Sequence, residues 1–180
     1  MRTCRAAAAG KLTAVLATVV ALAAGCGGGP SAQAWAASVC SALTPWRAEI
    51  SKLTSSTDQQ MTAQTTPAQA KENLVRLFGG AEQASETARR KVEEAGVPDA
   101  EQGEEVSEGF RTSLARMRDA YGKARDTIDG LSTSQPTVFY DGVRSAVDTL
   151  NQEYDAGALD TTRLNSEELK RAFAEVPECR

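Results

Sequence analysis

Four glutamates, Glu101, Glu104, Glu105 and Glu108, fall at helical spacing and form the densest run of ligand-type side chains in the sequence. Carboxylates gathered this way could hold a hard cation, but such runs are far more often a solvated helix face, and that is the expectation here. Histidine is absent from all 180 residues. With it go the usual proton carrier near neutral pH and the commonest metal ligand. A serine triad would lack its imidazole, and a Glu-x-x-His di-iron site cannot be written. Zinc sites need Cys or His clusters that the chain does not supply. No glycine-rich phosphate loop follows a strand, because no strand is evident. The surviving catalytic idea is a carboxylate-only hydrolase, with acid and base drawn from Asp and Glu, yet no spacing singles out a pair. Trp35 and Trp46 have the area to line a ligand groove, but such rings do most good in a core. The sequence thus predicts no metal, no cofactor and no catalytic residue.

The elements that must position these residues are helical. The composition is rich in helix formers, with only 5% aromatic residues. Trp35, Val39, Leu43, Trp46, Ile50 and Leu53 recur at spacings of four and three, one helix face between about Ala34 and Leu53. Pro45 either splits this helix, with Thr44 capping the second half, or kinks it; the unbroken phase of the stripe favours the kink. The polar stretch from Thr54 to Thr66 reads as a loop. Thr66-Pro67-Ala68-Gln69 is a capping box with proline at the first helical position. It opens a helix with Leu74, Phe78, Ala81, Ala88, Val92 and Ala95 on one face, ending at Gly96 before Val97-Pro98.

A third helix, from about Asp99 to Asp129, keeps its stripe from Val106 to Leu131. A fourth runs from near Pro136 to Tyr154, with Tyr140, Val143, Val147, Leu150 and Tyr154 in register. Ser166 caps a short last helix carrying Leu169, Phe173 and Val176. Short links imply antiparallel neighbours. The expected fold is all-α, an up-down four-helix bundle with a short fifth C-terminal helix.

The first 25 residues have the three parts of a secretory leader: a basic start with Arg2, Arg5 and Lys11, an apolar run Leu12–Ala24, and a small residue before Cys26. That run falls short of the ~20 residues a spanning helix needs. Leu22-Ala23-Ala24-Gly25-Cys26 resembles the bacterial lipobox, in which the cysteine receives diacylglycerol, so Cys26 is the expected lipidation site. Its leucine sits four residues before the cysteine, where three is usual. Residues 26–33 (CGGGPSAQ) read as lipidated cysteine and flexible tether, and 34–180 as the bundle. Without the leader, 17 basic face 24 acidic residues, a formal −7. That balance excludes nucleic acid as a partner and excludes charge attraction to an anionic membrane. Membrane attachment rests on the lipid.

Cys4 leaves with the leader and Cys26 takes the lipid. Cys40 and Cys179 remain as an even pair in an oxidising compartment, which predicts a disulfide. A bundle with an even number of long helices returns the chain to its starting end, where the short fifth helix can bring Cys179 to Cys40. Trp35-x-x-x-Val39-Cys40 and the closing Glu168-Leu169-Lys170-x-x-Phe173…Pro177-x-Cys179 resemble small secreted actinobacterial lipoproteins of uncharacterised function. The resemblance covers the leader and the two ends; it implies a helical envelope domain and no catalytic residues. The expected role is that of a non-catalytic helical interaction module, lipid-anchored on the outer face of the cell membrane, with an envelope protein or cell-wall partner. Carriage of a small apolar or lipidic ligand between helices is the alternative, and the carboxylate-only hydrolase ranks third.

Overall fold

A computed structural model describes residues 28–156, 161 and 164–180. It is all-α: α1 (Ala32–Gln60), α2 (Pro67–Glu94), α3 (Gly103–Asp129), α4 (Pro136–Ala156), α5 (Glu167–Glu175) and a terminal 3-10 turn, Pro177–Cys179. The chain runs up and down. α2 lies between α1 and α3, α4 packs on the far side of α3, and α5 with the terminal turn comes back to α1. Among the described residues α1 and α4 make no close backbone approach. The core is filled mainly from α1, α2 and α3, with Ala146 and Leu150 of α4 joining it and α5 closing it at one end.

The caps anticipated from sequence are formed. The Thr66 Oγ1 accepts from the Gln69 backbone N–H at 3.3 Å while the Gln69 side chain accepts from the Thr66 N–H at 3.0 Å. The Ser166 Oγ accepts from Leu169 N–H at 3.4 Å. α2 ends where Gly96 takes φ +73°, a left-handed conformation that glycine adopts without a side-chain clash.

Two boundaries and one helix face differ from the sequence reading. α1 is one helix through Pro45, the favoured reading, but it extends to Gln60, so Thr54–Gln60 is helix and not loop. Thr57 continues the stripe of Ile50 and Leu53 into the core at 8% exposure, and Thr54 Oγ1 donates back to the Ile50 carbonyl. Pro45 is tolerated because it and Ser41, whose carbonyl loses its partner, are both exposed. α3 begins at Gly103 and not at Asp99, after Gln102 turns into the left-handed region at φ 58°. Finally, α4 turns Phe139, Ala146 and Leu150 inward and leaves Tyr140 and Tyr154 exposed, one shoulder of the predicted stripe. α3 covers only part of an apolar face that is wider than one helix contact.

Candidate functional site

The densest constellation gathers at the end where α1 starts and α2 finishes. Trp35 is fully buried, edge-on to Phe110 at 5.5 Å and to Phe173 at 5.8 Å, while Phe110 and Phe173 stack at 5.5 Å. Its indole N–H donates to the Gly96 carbonyl at 2.9 Å, and Ser107 Oγ donates to the same oxygen at 3.0 Å. A buried aromatic with a polar tip needs such a partner. The Cys40–Cys179 disulfide is formed, with S–S 2.03 Å and Cα–Cα 5.0 Å, and ties the terminal turn to α1 over 139 residues of chain.

The same end holds the start of the described chain. The Asp99 N–H donates to the Pro30 carbonyl at 2.8 Å, and Ser31 pairs with Asp99 in a parallel bridge. A Cβ on Gly29 would stand 1.9 Å from the Val97 carbonyl oxygen, so only glycine permits this approach. Ser31 then caps α1, accepting from Ala34 N–H at 3.3 Å. From Gly28 onward, residues read from composition as flexible tether are seated on the α2–α3 link, and Ala32 and Gln33 belong to α1.

Cys26 lies outside the described residues. Glu101, Glu104, Glu105 and Glu108 are exposed. Glu108 pairs with Arg111 and accepts from Thr112 Oγ1 at 3.0 Å. Among the described residues no three His, Cys, Asp or Glu side chains converge as metal ligands. Trp46 joins Trp35 in the core at 8% exposure, its indole N–H donating to buried Ser85 Oγ at 3.0 Å. Beside it an open groove of about 350 Å3 runs between α1 and α2, its floor shaped by Pro45, Gly80, Ala84 and Ala88.

No Asp or Glu among the described residues is buried; the buried polar side chains are Thr57, Ser85, Ser107 and Ser166. The most perturbed carboxyl is Glu86, on the α2–α3 seam. It accepts two bonds from Arg89 at 2.8 Å each and one from Arg118 across the seam at 2.9 Å. The Arg89 bonds, reinforced by Arg118 against the opposing effect of partial burial, pull its pKa down to about 2. A carboxylate so held is a weak base near neutral pH; it stitches α2 to α3. Arg125 makes a parallel stitch to Glu82, and Lys123 one to Glu153 of α4. Burial raises the Tyr121 phenol to about 12, with neighbouring Tyr154 adding to the shift.

Sequence reasoning finds the cysteine pair and both tryptophans, but not the seat for Gly28–Ser31. Two glycines, a proline and a serine carry no local sign of a partner some 70 residues away. The Glu86–Arg118 stitch is equally hidden, since its members sit in different helices. No helix among the described residues is long and apolar enough to cross a membrane. No protein-family model, no characterised protein and no solved structure matches this chain.

Proposed function

We propose that this protein is a lipid-anchored module on the outer face of the cell membrane that works without catalysis, presenting its helical surface to an envelope protein or cell-wall partner. The observation that carries this reading is the convergence of the first described residues, from Gly28 on, and the C-terminal turn on one end of the bundle. The chain leading back to Cys26 starts there, and the disulfide fastens the C-terminal turn there. A disulfide between Cys40 and Cys179 accords with an oxidising, extracytoplasmic setting. A Cys26 acyl anchor would then leave the other end and the helix flanks free for a partner. The exposed carboxylates and the saturated Glu86 give the hydrolase alternative no site among the described residues.

Carriage of a small apolar ligand is the second reading, and the groove beside Trp46 is the feature that favours it. Its walls mix Glu49, Gln83, Thr87 and Lys91 with the small apolar residues, and it is open to solvent along its length. Replacing Cys26→Ala tests the anchor: the full chain should leave the membrane fraction, and firm retention of the variant would defeat the proposal. Crosslinking in the native envelope then identifies the partner.

A further inference from the structure

We infer that the α2–α3 end of the bundle is the surface that rests on the membrane, held there by a leading segment built into the fold. This rests on the lipid-anchor reading of Cys26. The path outside the described structure is short: Gly28 is already seated beside Asp99, and only Gly27 separates it from Cys26. Two residue steps span at most about 7 Å. A lipidated Cys26 therefore holds the α2–α3 link within the headgroup layer and allows no long stalk.

The seat resists being pulled open by four features. These are the Asp99 N–H to Pro30 bond, the close approach of Gly29 to Val97, the Ser31 cap of α1, and the Gly96 carbonyl fixed by Trp35 and Ser107. Val97 is the exposed apolar residue at this tip, at 42%. Around it Glu94, Asp99, Glu101 and Glu104 are exposed and would repel an anionic leaflet. Charge does not hold this end down. The covalent anchor and the seated segment do. The residues after the leader carry a formal −7, so an anionic leaflet repels the body along its length while this end is tied down. The bundle accordingly stands upright, with the Met61–Thr66 and Leu131–Gln135 links farthest from the membrane.

The test uses the full-length protein from its native membrane, placed in supported bilayers of phosphatidylethanolamine and phosphatidylglycerol in equal parts. Neutron reflectometry should give a protein layer about 45 Å thick, the length of a 29-residue helix such as α1. A layer of roughly 25 Å, the body lying on its side, would overturn the inference. Gly29→Ala should unseat the segment, raise the Asp99 amide exchange rate by about tenfold and make the layer thinner and more diffuse. An unchanged layer and unchanged exchange would overturn the inference as well. If Gly29→Ala fails to fold, a six-residue Gly-Ser insertion between Gly27 and Gly28 replaces it; that variant should lift the layer off the bilayer by up to about 20 Å, and no lift would count against the inference. Intact mass separates the two claims. An unacylated Cys26 overturns the anchor and the posture together, whereas an acylated Cys26 under a flat layer overturns the posture alone.

Discussion

Where α1 starts and α2 finishes, the contacts join residues far apart in the chain. The indole of Trp35 reaches Gly96 across 61 residues, Cys40 reaches Cys179 across 139, and Phe173 of the last helix stacks on Phe110. Where α1 finishes and α4 starts, most of the bonding is local. Thr62 and Thr65 bond to each other and Thr66 and Gln69 cap α2, while the longer ties are Lys71 Nζ to the Leu131 carbonyl and Arg76 to Gln60 Oε1, each at 3.2 Å. Val138 is 60% exposed there, next to fully buried Phe139. Local bonds re-form whenever a turn re-forms, while long-range contacts break only when elements separate. One end is locked by long-range contacts and the other is held mainly by local ones.

Breaking the lock should cost the most. Cys40→Ser or Cys179→Ser releases a closed loop of more than a hundred residues, for which the chain-entropy estimate is about 5 kcal/mol. The variant should unfold at markedly lower urea, and an unchanged midpoint would mean that the clip adds nothing. Truncating Phe110→Ala at the locked end should cost about 3–5 kcal/mol, whereas Val138→Ala at the far end should stay within about 0.5 kcal/mol. Similar losses from both would erase the distinction between the ends.

The seam of α2 and α3 lies between the two ends and sharpens the comparison at smaller scale. The folded value of Glu86, about 2, lies below its ordinary 4.5. Its ionised form thus contributes stability above pH 4.5, and that contribution drains away as pH falls from there towards 2. Glu86→Gln should be less stable than the parent at neutral pH by a modest amount, since the pair is partly exposed. The gap between the two proteins should close over that acid range; a gap that widened would contradict the pairing.

Much of this was legible in advance. The stripes of α1, α2 and α3 repeat often enough to fix helix and inward face together, and Thr66–Gln69 and Ser166 announce helix starts by local chemistry. The tail of α1 was not legible, because seven residues rich in Thr, Ser and Gln have weak intrinsic preference and become helix through the burial of Thr57. The inward face of α4 was ambiguous for a related reason. Phe139 and Tyr140 are adjacent on an apolar arc wider than α3 can cover, and the choice belongs to packing. The seat of Gly28–Ser31 depends on Val97 and Asp99, far along the chain, and glycine spacing cannot signal it. Cys26 lies outside the described residues, and its reading as a lipidation site rests on the sequence motif alone.

Hydrogen exchange on the intact protein tests the contrast of the two ends most directly. Amides of Trp35–Cys40 and of α3 around Phe110 should exchange only through global opening. Those of Thr54–Gln60 and the first turns of α4 should exchange at least about tenfold faster through local opening. Equal rates at the two ends, or faster exchange around Trp35, would contradict the contrast between an end locked by long-range contacts and an end held by local ones.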